Sequence, residues 1–205
     1  MRQLLIASKN VGKAAEFAQI FAPLGLDVTH LAGRDDIETA PETGRRFIEN
    51  ASMKARFYAM RLSSWALADD SGLIVDALAG QPGVDSAHYA QLNNAGAGDD
   101  ANNALLLERL KHVDADSRQA RFVCVLALAD PLGRTVLTTR GEMEGCIATA
   151  ARGTKGFGYD PIFEVAGTNR TTAELAMEEK HRLSHRASAM RRMHELLKQY
   201  DPLRG

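Results

Sequence analysis

Cysteine is scarce in this chain of 205 residues: there are two, Cys124 and Cys146. Two cysteines build no disulfide framework, and they show no metal-ligand spacing; Cys124 lies inside an apolar run and reads as core. Long apolar runs are missing as well. The longest, Phe122 to Ala129, is less than half of what a bilayer span requires. The opening MRQLLIASKN meets a lysine too early for the apolar centre of a secretion signal. An excess of either charge is also lacking, since 25 Lys and Arg face 26 Asp and Glu for a net charge of −1. Nothing global therefore draws the chain to DNA, RNA or an anionic membrane. These absences predict a soluble, cytoplasmic protein with neither a nucleic-acid nor a membrane partner. What is present is ordinary: 45% hydrophobic and 25% charged residues, in a chain long enough to bury a core and leave a cleft.

The order of elements is more informative. Gln3 to Ala7 is a short apolar run without helical spacing, followed by the polar turn Ser8-Lys9-Asn10. Asn10 is a good helix N-cap, and Ala14, Phe17, Ala18, Phe21 and Ala22 then recur at helical spacing. Pro23 and Gly25 end that helix, and Leu26 to Leu31 reads as a second strand. Strand, helix, strand points to an α/β fold. After an acidic loop from Gly33 to Gly44, the residues Phe47, Ile48, Ala51, Ala55, Tyr58, Ala59 and Leu62 mark one helical face. Trp65 to Ala68 reads as a short strand that stops at the turn Asp69-Asp70-Ser71-Gly72. The Gly/Asn/Ala-rich stretch Ala79 to Asn103 reads as a mobile surface excursion, with helical spacing resuming at Leu105. Arg121 to Ala129 and Thr135 to Glu144 form two β-like stretches around a Pro131–Gly133 turn, and a last helix starts near Ser184. No internal repeat is present, so residues 1–205 read as one α/β domain that can hinge between two lobes.

Four places carry chemistry. Ser8-Lys9-Asn10-Val11-Gly12-Lys13 sits where a strand turns into a helix, and helix-start amides bind phosphate. Lys13 opposes the helix dipole there unless an anion sits beside it. The order of residues is not that of a P-loop. Asp69-Asp70-Ser71-Gly72 is an acidic pair of the kind that holds Mg²⁺ through one or two carboxylates, with substrate phosphates completing the shell. Glu42 can supply a further carboxylate. Gly153 to Pro161 has three glycines in six residues, rings at Phe157 and Tyr159 for a base to stack on, and an acceptor at Asp160. Lys180 with Ser184-His185-Arg186 makes a cationic, hydrogen-bonding cluster at the junction of two helices. A bland alternative exists for each: a capped helix, an Asp turn, a surface loop, a structural histidine. Together they are the inventory for a nucleoside triphosphate.

SKNVGK, ETG followed by FIENASMKA, ADDSGL, PGVDSAHYA, GFGYDPIF and the late K-x-x-x-x-H-R run in order from about Leu4 to Leu196. In these blocks the chain resembles the inosine triphosphate pyrophosphatase family. That resemblance implies hydrolysis of ITP, dITP and XTP to the monophosphate and pyrophosphate. It implies an elongated, two-lobed α/β fold with a mixed sheet flanked by helices, a nucleotide cleft between the lobes, and a homodimer. It implies that Ser8, Asn10 and Lys13 within the Ser8–Lys13 turn bind the triphosphate. Glu42 and Asp70 would hold Mg²⁺, with Asp70 also the proton acceptor and Asp69 the alternative for either role. Ser71, Phe157, Gly158, Tyr159, Asp160, Lys180, His185 and Arg186 would contact the nucleotide. The chain departs from the family at Ser86-Ala87-His88, where S-A-R is common, and at Asp85, where an aromatic residue is frequent. A nucleotide pyrophosphatase of other base preference, and a nucleotide sensor without turnover, are the rival readings.

Overall fold

A computed structural model describes residues 3–200. The chain forms an α/β protein with a six-stranded mixed sheet in the order β2-β1-β3-β4-β5-β6. Two compact units divide it, one made of residues 3–70, 124–141 and 188–200, the other of 71–123 and 142–187.

In the first unit β1 (Gln3–Ile6) pairs in parallel with β2 (Asp27–His30) and β3 (Trp65–Val75), Leu4 lying opposite both Val28 and Trp65. Parallel neighbours require a crossover, supplied by α1 (Val11–Phe21) and α2 (Phe47–Leu62). Asn10 starts α1 as expected, its side chain accepting from the Lys13 amide at 3.0 Å. Gly25, at φ 66°, closes the short helical turn Ala22–Leu24 that follows. The core gathers Leu4, Ile6, Phe17, Phe21, Leu67, Leu126 and Leu128 under Ala189, Met190, Met193 and Leu197 of α6 (His185–Gln199). Trp65 packs against its margin.

In the second unit the core collects Leu73, Val75, Tyr89, Leu106, Leu110, Tyr159, Ile162 and Phe163. α3 (Tyr89–Leu92) and α4 (Asp99–Leu110) contribute to it. β4 (Gln119–Ala129) and β5 (Thr135–Ile147) are sheet neighbours, and β6 (Phe163–Val165) pairs antiparallel with β5. α5 (Met177–Leu183) precedes α6. Arg118 is buried, and its guanidinium donates to the carbonyls of Leu110, Val113 and Ala148. It thereby satisfies the last carbonyl of α4, which has no partner within the helix.

Two expectations fail. The strand from Trp65 does not stop at Asp69; β3 runs unbroken to Val75. Residues 66–70 of it are all buried, so the alternation that marks a half-exposed strand is absent, and charged partners allow two aspartates to lie inside. Nor is the stretch from Ala79 to Asn103 an excursion throughout, although residues 91–100 are all exposed. It holds a helical turn at Gly83–His88, then α3 and the start of α4, with Tyr89 and Ala90 buried. Asn102, also buried, accepts from the Ala90 amide at 2.8 Å and donates to the Ala87 carbonyl at 3.2 Å. Asparagine side chains do here what apolar contacts do elsewhere, so a composition that reads as flexible is held in place.

Candidate active site

The first unit carries the charged cluster. The turn after β1 is built from its own side chains: the Ser8 hydroxyl accepts from the Asn10 amide at 3.2 Å, and the Lys9 ammonium donates to the Ile37 carbonyl at 3.3 Å. Val11 and Gly12 are exposed in the first turn of α1, which contains no acidic residue. Lys13 nevertheless has an anion beside it. Its Nζ lies 3.0 Å from Oδ2 of Asp69, a carboxylate only 5% exposed. The anion that Lys13 requires at the helix start is thus a protein side chain, which β3 places against it.

α2 faces the same cluster with Asn50 and Lys54, four residues apart and so on one helical face. Asn50 accepts from the Gly44 amide at 2.7 Å and hydrogen-bonds Asp70, tying the acidic loop to β3. A side chain on Gly44 would approach Oδ1 of Asn50 to 2.7 Å and Cβ of Glu49 to 2.6 Å, so only glycine permits this approach. Lys54 reaches Glu42 at 2.9 Å and the Asp69 carbonyl at 3.0 Å. Burial works to lower the Lys54 ammonium, but Asp69, Glu42 and Asp70 outweigh it and hold the pKa above its usual value. Asp70 goes the other way. Burial first, then the charges of Glu42 and Asp69, raise its carboxyl to about 6 against the pull of Asn50 and Lys54. Neither Asn50 nor Lys54 was singled out in the sequence; two buried-face polar residues at helical spacing in FIENASMKA were the available signal.

Among the described residues no three histidine, cysteine, aspartate or glutamate side chains are gathered as a metal cage. The donors nevertheless suit Mg²⁺. That ion takes oxygen ligands and commonly one or two carboxylates, with substrate phosphates and water filling the rest. Asp70 is a buried carboxylate under repulsion from Glu42 and Asp69, and a cation beside it would relieve that repulsion.

The second unit carries the glycine-rich loop. Phe157 is 66% exposed, whereas Tyr159 is 4% exposed and donates its hydroxyl to the Ser86 carbonyl at 2.8 Å. The Tyr159 ring belongs to the core and offers no stacking face; burial also raises its hydroxyl pKa. Asp160 is buried, accepts from the Phe157 amide at 2.8 Å and pairs with Lys180. Lys180 in turn lies 4.9 Å from the centre of the Phe157 ring. Gly156, at φ 84°, is obligatory, since a side chain would come within 2.0 Å of the Asp160 carboxylate. Gly158 is half-buried and Ser71 half-buried on β3.

At the junction of α5 and α6 the Ser184 hydroxyl accepts from the Ala187 amide at 3.1 Å, starting α6, and donates to the His181 carbonyl at 3.3 Å. The His185 ring stacks on Phe122, centres 5.1 Å apart and planes 14° from parallel. Asp85 and His88 are exposed on the helical turn from Gly83, while buried Ser86 binds the Leu73 amide at 2.9 Å and the Gly83 carbonyl at 2.6 Å.

The described residues thus make a six-stranded α/β protein with buried aspartates beside lysines in its first unit and a glycine-rich loop presenting one exposed aromatic ring in its second. The chain belongs to the Ham1 family, whose model matches residues 4–196. A dITP/XTP pyrophosphatase from Exiguobacterium sibiricum is 47% identical over 195 residues, covering 95% of this chain and 96% of that protein. One of the same name from Bacillus subtilis is 45% identical over 197 residues, covering 96% and 98%. A solved HAM1 protein from Coxiella burnetii superposes with a TM-score of 0.89 at 38% identity, covering 98% of this chain and 100% of that one. No helix among the described residues is long and apolar enough to cross a membrane.

Proposed function

We propose that this chain hydrolyses the non-standard purine nucleoside triphosphates ITP, dITP and XTP to the monophosphate and pyrophosphate, as a Mg²⁺-dependent, cytoplasmic homodimer. The observation that carries the reading is Asp70, a buried carboxylate raised to about 6 in a chain whose near-full-length relatives bear the name dITP/XTP pyrophosphatase.

The oxygen of a water molecule bonds to the α-phosphorus, and the bond from that phosphorus to the oxygen bridging to the β-phosphorus breaks. Pyrophosphate leaves. Asp70 takes the water proton; without metal, burial and the neighbouring carboxylates raise its carboxyl to about 6. Lys13 and the first amides of α1, in the turn Ser8-Lys9-Asn10-Val11-Gly12, neutralise the departing phosphates. Glu42 and Asp70 would hold Mg²⁺, which when bound screens the phosphate charges and acidifies water. Asp69 is the poorer candidate for either task because Lys13 already occupies its Oδ2. For the base, Phe157 offers its exposed ring on the loop that Gly158, Tyr159 and Asp160 shape, and Lys180, His185 and Arg186 are the donor contacts, with Ser71 a further one.

Hypoxanthine and xanthine carry an oxygen at position 6 that accepts from such donors; adenine carries an amino group, so donor would meet donor. A site built on buried hydrogen bonds can discriminate by roughly 10⁴-fold. Guanine keeps the 6-oxygen and is excluded through its 2-amino group. The test is a panel of ITP, dITP, XTP, GTP and ATP, assayed for pyrophosphate against orthophosphate with Mg²⁺ or with EDTA. Pyrophosphate from the first three, only with metal, is expected. Orthophosphate as the product would overturn the chemistry, and equal kcat/KM for GTP and ITP the selectivity.

A further inference from the structure

We infer that Asp99 and Asn103, on the first turns of α4, are positioning residues for the loop that presents Phe157. Both polar backbone groups of Gly158 are taken by α4: the amide donates to Oδ2 of Asp99 at 2.6 Å, and the carbonyl accepts from Nδ2 of Asn103 at 3.0 Å. On its other side the Phe157 amide is held by Asp160, whose own amide donates to the Phe157 carbonyl at 3.3 Å. The peptide units flanking the ring are thus fixed from both directions, although the ring itself is 66% exposed and gains little from packing. Without the α4 contacts, Gly158, at φ 62°, would leave the loop one of the freest joints a chain can have.

Two details separate these residues from ordinary helix-start polar groups. Asp99 follows the N-cap Gly98, and no side chain caps that helix; the carboxylate goes to Gly158 instead. Asn103 is 8% exposed, yet its Oδ1 has no hydrogen-bond partner among the described residues. A leucine of similar size would suit that pocket better for stability alone, because an unmade buried bond is costly. What Asn103 supplies, and leucine cannot, is the donor to Gly158.

The inference rests on the proposed role of Phe157 as the base platform. Binding that is equal in ground and transition states moves KM and leaves kcat. Asn103→Leu and Asp99→Ala are therefore expected to raise KM for ITP about 5-fold with kcat within about 2-fold of the parent. Asp99→Asn keeps an acceptor and should restore the parent KM. The inhibition constant of inorganic tripolyphosphate, which has no base to stack, should not move in any of them, and the melting temperature of Asn103→Leu should not fall below the parent's. In a Phe157→Ala background neither substitution should raise KM further. An unchanged KM in Asn103→Leu and Asp99→Ala, equal weakening of tripolyphosphate, or full additivity with Phe157→Ala would overturn the inference. Exposed Asp99 carries the comparison if Asn103→Leu does not fold. Phe157→Ala with parental KM would overturn the base-platform role itself, and this inference with it.

Discussion

Asp70 is ionised or not across the pH range in which most assays are run, because burial and two neighbouring carboxylates raise it to about 6 from an ordinary 3.8. The folded protein therefore holds a proton at this side chain that the unfolded chain has already released. Stability from this group is greatest below the unfolded value, falls as pH rises towards 6, and is flat above it. In EDTA, denaturant unfolding should show the parent about 1 kcal/mol more stable at pH 5 than at pH 7.5 from this site, a component absent from Asp70→Asn. A parent and variant that respond identically to pH would remove the raised carboxyl from the account. The same variant should lose at least roughly 10²-fold in kcat, since it removes the base and one metal ligand together. Near-normal turnover in folded Asp70→Asn would shift the role to Asp69.

α1, α2 and β3 each bring charged residues to one cluster, and their coupling decides what a substitution on any one of them does. Lys13→Ala takes a cation from the proposed phosphates and also removes the ammonium 3.0 Å from Asp69, a carboxylate only 5% exposed. Both effects should appear: a higher KM for ITP, and a loss of stability of about 1–3 kcal/mol from a buried charge that has lost one of its cations. A variant that binds nucleotide like the parent would place Lys13 in the ion pair alone. The sequence makes α1 and its Asn10 cap readable because caps and helical periodicity are local signals. It hides the course of β3, whose DDSG string has the residues of a turn, since the partners that let aspartates enter a strand come from α1 and α2. For the same reason Asn50 and Lys54 pass unnoticed: their meaning lies in what faces them, many residues away. The loop at Phe157 is legible in its glycines, but which of its two rings is exposed depends on Ser86 accepting the Tyr159 hydroxyl.

On the scale of the whole chain, neither unit is a continuous segment, and α6 closes the core of the first one. Ending the chain after Ala187 removes Ala189, Met190, Met193 and Leu197 from that core, while every residue of the second core remains. Losing three large buried side chains, at roughly 2–3 kcal/mol each, rivals the total stability of a typical domain. The single tryptophan, Trp65, lies at the margin of the first core and reports on it. The truncated chain should therefore show the red-shifted emission of a solvent-exposed tryptophan, with secondary structure only partly lost. Native-like emission from the truncated chain would show that α6 is dispensable to that core.

Because a chain emerges from the ribosome beginning at its first residue, this arrangement also sets a timetable. The core residues of the second unit fall between Leu73 and Leu175, so they have all been made before α6 exists. Leu4, Ile6, Phe17 and Phe21 are made before all of these, yet they are covered only once Met193 and Leu197 follow. Through that interval those four residues present uncovered apolar surface, the kind that holdase chaperones bind and that promotes aggregation when synthesis stalls.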